Sequence, residues 1–489
     1  MRKPFSRQGR LDCRSPENVT LNFECRYEII PILRGLQHIY SRPSLRDEIL
    51  KLVARDVNQE TRNDCGRPGM DYWQILVLSS VRLGCNLKYD ALQDLAEQHH
   101  ALRQMMQLGD WEEECFDFRR IRDNICEVRA ETLVAIDNLI VSEGHRLVPE
   151  AVKKIRADSF VVETNIHYPS ESTLIRDGIR KVIELAVTRT EALDLPGWRQ
   201  HEHLLRKVLK LSRQIERIAA RKGPNYEERL KKPYRQLLKV SGKILRKAHC
   251  LCEELDALDA LDAGEALVFQ VQELRTFMER TQHVRQTARR RVLNGEKVPN
   301  EDKLFSIFEP HTQLYKRGKA GQPKQFGRLF LVYEDAAGFV VHHHLLPRDK
   351  ADRDVIVEQT RVLQELLNGK MESLSLDRGF HTPENQVQLL QIVKHPCLPK
   401  PGAKQAARQE AAATVQFRQA RQRHSGVESA IGALQAGNGL KRCRDHAEIG
   451  FERYLSLGIL GRNLHTLGRL LIAQDAPESQ AAQTQRKAA

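Results

Sequence analysis

The sequence contains no apolar run approaching the length of a membrane-spanning helix, so nothing in it argues for a bilayer partner. The basic opening stretch MRKPFSRQGRLDCRSPENV is followed by no apolar core of a secretory signal, and the expected compartment is the cytoplasm. Ten cysteines are present without a C-x-x-C pair, which supports neither a zinc knuckle nor a disulfide framework and points to reduced thiols. Cys250 and Cys252, beside His249, would leave a helix on different faces and make a poor ligand pair. What the chain does have is size and positive charge. At 489 residues, 41% hydrophobic and 29% charged, it is long enough for several globular domains. A net charge of +14 favours a polyanionic partner, nucleic acid ahead of membrane.

Helical patterning dominates the first third. SLRDEILKLVARDV places Ser44 and Asp47 at capping-box spacing before apolar positions with helical period. Asp71-Tyr72-Trp73 leads into ILVLSSVRL, a break follows at Gly84-Cys85-Asn86, and a second amphipathic segment runs from Tyr89 to His99. A third spans about Phe118 to Ile140. A helix, a short turn and a helix suit a DNA-contacting module and also a plain bundle.

The pattern then changes. IRADSFVVET, at Ile155 to Thr164, reads as a short strand-like apolar run with a carboxylate, Asp158, at its mouth. Pro169-Ser170-Glu171-Ser172 precedes a helix to about Ala186, and a long helical insertion follows. Between Arg199 and Cys250 lie 16 Lys and Arg against 4 Asp and Glu, which accounts for most of the chain's surplus. Such a concentration serves either as a solvated helical face or as a phosphate-tracking surface, and the second reading is preferred. Beyond it, FGRLFLVYE and GFVVHHHLL read as a β-hairpin. His342, His343 and His344 alternate faces on such a strand and cannot converge on one ion. A further apolar run ends at Asp377, with Thr382 and Pro383 as cap and first residue of the next helix. A helix expected over 411 to 435 carries Glu428, with His424 one turn before it.

Asp158, Asp377 and Glu428 form the candidate catalytic set. Two of them terminate apolar β-runs and are followed by turn and helix signals, and in open α/β sheets ligands bind beyond the carboxyl ends of strands. Two Mg²⁺ ions, roughly 3.5–4 Å apart, catalyse in-line phosphoryl transfer and need hard oxygen ligands. Asp158 is the bridging candidate, with Asp377 on one ion and Glu428 on the other; Mn²⁺ is able to substitute. Glu163, an odd number of residues further along the strand, faces away and is not assigned to this set.

The runs ADSFVVETNIHYPSESTLI, GKAGQPKQFGRLFLVYED, LDRGFHTPEN and HSGVESAIGALQAGNGLKRCRDH, followed by FERYLSLGILGRNLHTLGRLL, resemble in order the blocks of bacterial insertion-sequence transposases of the DDE class. YWQILVLSSVRLGCNLKYDALQDLAEQHHALRQMM is similar to the helical DNA-binding region that precedes those blocks. The resemblance implies an α/β fold with an RNase H-like mixed-sheet core, divalent metal, and the acidic triad on Asp158, Asp377 and Glu428. It further implies binding of terminal inverted repeats, cleavage and strand transfer into target DNA, and a homodimer on double-stranded DNA at the nucleoid. No nucleotide cofactor and no membrane partner are implied. Arg421, His424 and Gln435 occupy offsets where related families place Tyr, Arg and Lys, and Lys319, Arg378, His424, Lys441, Arg442 and Arg444 are the expected DNA contacts. The corresponding organisation is an arm at 1–43, a helical DNA-binding domain at 44–147, a core at 148–190 and 297–473, a basic helical insertion at 191–296 and a disordered tail at 474–489. A related metal-dependent nuclease and a catalytically inactive DNA-binding repressor are the alternatives.

Overall fold

The computed structural model describes residues 2–5, 12–58, 69–109, 116–221, 223–259, 265–316, 324–348, 350–402, 404, 409 and 413–488. Two compact units make up the chain: unit 1 joins Met1–Asn165 to Arg328–Ala489, and unit 2 is Ile166–Gly327. In chain order the helices and strands are α1 (Ile29–Tyr40), α2 (Pro43–Val57), α3 (Tyr72–Gly84), α4 (Tyr89–Gln98), α5 (His100–Met105), α6 (Phe118–Glu127), α7 (Ala130–Leu147) and β1 (Lys154–Glu163). Next come α8 (Glu171–Ala192), α9 (His201–Arg221), α10 (Tyr226–Asp259), α11 (Glu265–Ala288), β2 (Gln313–Tyr315), β3 (Gln325–Glu334) and β4 (Val340–Leu345). Then follow α12 (Asp352–Leu366), β5 (Ser373–Ser375), α13 (Pro383–Ile392), β6 (His395–Cys397), α14 (Val415–His424), α15 (Val427–Ala436) and α16 (Ala447–Ala488).

Unit 1 is mixed α/β. Its strands lie in the order β4-β3-β1-β5-β6, so the acid-bearing β1 is central. The hairpin read from the sequence forms antiparallel, pairing Phe330 with Leu345 and Val332 with His343, whereas β5 runs parallel to both β1 and β6. All three consecutive histidines are half-buried on β4; His342 contacts Gln359 at 2.9 Å and His343 packs on the Phe330 ring.

The helices of the N-terminal third belong to this same unit and pack around α16, which contacts α1, α3 and α7. Helix α3 is apolar on every side and buried along its length, as expected of a central core helix. Asp71 caps it by accepting from the Gln74 amide at 2.7 Å, completing a capping box. The crossing of α16 over α3 and α1 depends on absent side chains. A Cβ on Gly461 would lie 2.5 Å from the Gly84 Cα, and one on Gly468 would lie 1.7 Å from the Pro31 carbonyl oxygen. Helix α2 starts differently from the sequence expectation: Pro43 is its first residue, Arg42 its cap, and no side-chain cap bond forms. Proline's fixed φ suits the first helical position, so the Ser44–Asp47 box is displaced into the helix.

Unit 2 is a bundle of α8, α9, α10 and α11 around one apolar core. Helix α8, expected to go with the core domain, belongs here because Leu174, Ile175, Ile179, Val182 and Ile183 all face that core. Gly178 brings α8 close to α11, where Thr281 Oγ1 would sit 2.1 Å from an added Cβ. The short β2 pairs antiparallel with the first three residues of β3.

Candidate active site

The register of β1 against β5 sets the geometry. Lys154 pairs with Ser373, Ile155 with Leu374 and Arg156 with Ser375. Asp158 lies two residues beyond Arg156 within β1, and Asp377 lies two residues beyond Ser375, just past the end of β5, where it caps the turn that follows. Asp158 is half-buried and its Oδ1 accepts the Ser159 amide at 2.7 Å; Asp377 is exposed and its Oδ1 accepts the Arg378 amide at 2.7 Å. Ser159 points to the other face, where its hydroxyl donates to Asp352 at 2.7 Å.

Arg156 holds this end of the sheet together. Its Nε donates to Glu334 on β3 at 2.6 Å, and its Nη1 donates to the Arg423 carbonyl at the end of α14 at 3.0 Å. Gly426 lies close above it, where an added Cβ would come 2.4 Å from Nη1. The single helix expected over 411–435 is two, ending at His424 and restarting at Val427. His424 and Glu428 consequently stand on different helices rather than one turn apart on the same one.

Helix α14 packs on β1, β5 and β6, and α15 packs on β1. His424 is half-buried beside Asp377. Burial pushes its pKa down, Asp377 opposes this, and Arg156 adds to the lowering, so the ring is neutral near pH 7. Glu428 is exposed in the first turn of α15. Three polar atoms around the strand ends are buried and unpartnered: Ser375 Oγ, Arg423 Nη2 and His424 Nδ1.

The remaining cationic candidates divide by environment. The segment following α15 returns to β1, where the Glu163 amide donates to the Lys441 carbonyl at 3.1 Å and the Cys443 amide donates to the Glu163 carbonyl at 2.8 Å. Arg442 also pairs with the Glu163 carboxylate at 2.8 Å, while the Lys441 side chain is exposed. Arg444 is turned inward, donating to Tyr454 Oη at 3.0 Å and to Asn86 Oδ1 at 2.8 Å. Arg378 is exposed next to Asp377, and Lys319 lies outside the described residues.

Asp158 and Asp377 thus each follow the Arg156–Ser375 pair by two residues, and the Glu428 helix packs on β1. Among the described residues, however, no group of three or more His, Cys, Asp or Glu side chains is close enough to share an ion. By chemistry, carboxylates such as Asp158 and Asp377 suit a hard divalent cation, which takes further oxygens from water and substrate. Sequence reasoning missed Arg156, Glu334, Arg82 and Asp445. The last two form a buried pair that anchors the segment carrying Lys441 and Arg442 to α3, with Arg82 Nη1 donating to Asp445 at 2.9 Å. No family model, curated protein or solved structure matches the chain.

Proposed function

We propose that the protein is a DNA transposase of the DDE class, with an RNase H-like core in unit 1. One observation supports the proposal: Arg156 pairs with Ser375 in the β1–β5 register, and Asp158, within β1, and Asp377, just past β5, each lie two residues beyond that pair. The mixed sheet with its acid-bearing strand at the centre supports the same reading. In this role Asp158, Asp377 and Glu428 would hold Mg²⁺ or Mn²⁺. When bound, such ions supply charge neutralisation at the scissile phosphate and an activated oxygen nucleophile. Glu428, exposed in the first turn of the helix packed on β1, would be the third ligand. Neutral His424 and the unpartnered Arg423 Nη2 donate hydrogen bonds to phosphate oxygens, and Arg378 and Lys441 hold the flanking backbone. Arg156 is a positioning residue that fixes β1, β3 and the end of α14 relative to one another.

The test is cleavage of DNA bearing the element's terminal repeats. Asp158→Asn removes one negative charge at constant shape and should abolish Mg²⁺-dependent end cleavage while DNA affinity is retained. A purified variant that still cuts would overturn the assignment. Joining of a pre-cleaved end to target DNA separates a transposase from a hydrolytic nuclease, which stops after cutting, and a protein that binds ends without cutting is the repressor.

A further inference from the structure

Within unit 2 a cavity of about 310 Å³ opens beside the start of α8, at the small end of the roughly 300–1,000 Å³ range of ligand sites. Three rings build its aromatic wall. Tyr168, 67% exposed, meets Phe326 edge-on with centroids 5.5 Å apart, and Phe326 rests against the buried Phe305 at 5.6 Å. Arg291, Lys303, Lys316 and Lys324 line the remainder, with Glu171 as the carboxylate among the lining residues. That carboxylate is committed to Arg291, whose Nε and Nη2 reach its two oxygens at 2.7 and 2.9 Å. Lys316 and Lys324 are both exposed at the rim. Burial lowers the pKa of Lys303, Arg291 and Lys316 lower it further, and Glu171 partly offsets them. Positive charge therefore exceeds negative charge in a partly desolvated space, a condition that an anion relieves. The exposed Tyr168 ring offers a stacking face, which every nucleic-acid base can use.

We infer that this cavity binds a single nucleotide unit, with its base stacked on Tyr168 and its phosphate held by Lys303, Lys316 and Lys324. The inference rests on the nucleic-acid reading above and adds a ligand and a place for it outside the acidic site. A free mononucleotide shares this chemistry. A nucleotide within a single strand is favoured because the same unit carries the basic run between Arg199 and Cys250, which suits a polymer of phosphates.

The experiment uses the full-length protein with two probes, a single-stranded oligodeoxynucleotide containing one 2-aminopurine and deoxyadenosine monophosphate as competitor. Binding should quench the 2-aminopurine fluorescence. Tyr168→Ala should weaken binding of that strand roughly 5- to 150-fold, the value of one base–aromatic stack, while leaving the circular dichroism unchanged. A strand made abasic at the probe position should bind parent and variant equally, and Lys303→Gln should weaken the base-bearing strand. Preference for the strand over the mononucleotide identifies a polymer site, and the reverse identifies a free-nucleotide site; both retain the cavity as the binding place. Unchanged quenching and affinity in Tyr168→Ala would overturn it. End cleavage measured on the same preparations separates the two readings. A protein that cuts ends without quenching loses only the cavity, and one that quenches in a Tyr168-dependent way without cutting loses only the transposase assignment.

Discussion

Removing the charge of Asp445 should cost unit 1 about 3–5 kcal/mol, the penalty for leaving one partner of a buried ion pair without the other. The side chains of Arg82 and Asp445 are 1% and 8% exposed. The Tyr89 ring lies 3.9 Å from the guanidinium carbon and closes off solvent on one side. Burial, the largest influence, lowers the Arg82 pKa; hydrogen bonding to Asp445 together with the charges of Asp445, Tyr89 and Tyr454 raises it overall. In Asp445→Asn the guanidinium stays buried with a neutral partner. With a urea m-value near 3 kcal/mol/M, the unfolding midpoint should fall by about 1–2 M. Fluorescence of the buried Trp73 on α3 reports the transition. The double replacement Arg82→Met with Asp445→Leu removes both charges and should recover most of the loss, because apolar replacements of buried pairs are often neutral or stabilising. A double-mutant cycle isolates the coupling. A cost below about 1 kcal/mol for Asp445→Asn, or a double variant as unstable as the sum of the singles, would refute the claim that this pair anchors the segment after α15.

Two further outcomes follow from separate observations. Asp137 is buried, accepts from Asn463 Nδ2 at 2.9 and 3.0 Å, and has its pKa pushed from 3.8 to about 7 by burial, with the amide pulling the other way. Because the folded state holds this proton more tightly than the unfolded chain, stability is lost as pH rises from 3.8 to about 7, by roughly 4 kcal/mol. Asp137→Asn should gain about that much relative to the parent between pH 4 and pH 8, and parallel urea midpoints across that range would contradict it. On α10, Lys232, Arg235, Lys239, Lys243 and Arg246 are exposed at helical spacing, and none forms an ion pair among the described residues. Replacing all five by Gln should flatten the logarithmic salt dependence of DNA binding by about 4–5; an unchanged slope would leave them as a solvated face.

Local patterns were legible in the sequence where neighbours along the chain decide the outcome. The β-rich runs FGRLFLVYE and GFVVHHHLL, joined by a short loop, read as the β3–β4 hairpin, and Thr382 caps α13 by accepting from the Asn385 amide at 3.0 Å. Asp158 stood out as a carboxylate within an apolar strand. Its relation to Asp377 was not legible, because parallel register is set by packing between segments more than 200 residues apart. Buried arginines were hidden for the same reason. Arg156 meets a partner 178 positions away and Arg82 one 363 positions away, and in the sequence each looks like an ordinary surface cation. The break between α14 and α15 was hidden too: the Arg156 guanidinium from β1, 267 positions away, donates to the Arg423 carbonyl at the end of α14.

The glycine crossings of α16 also impose an order on synthesis. Helices α1 and α3 leave the ribosome early, yet the surface that covers them begins only at Ala447. Until that point the nascent chain carries an unfinished apolar face. A message truncated earlier would yield a polypeptide with its candidate acids but without the helix that closes its core. Completion of folding is thereby tied to completion of translation.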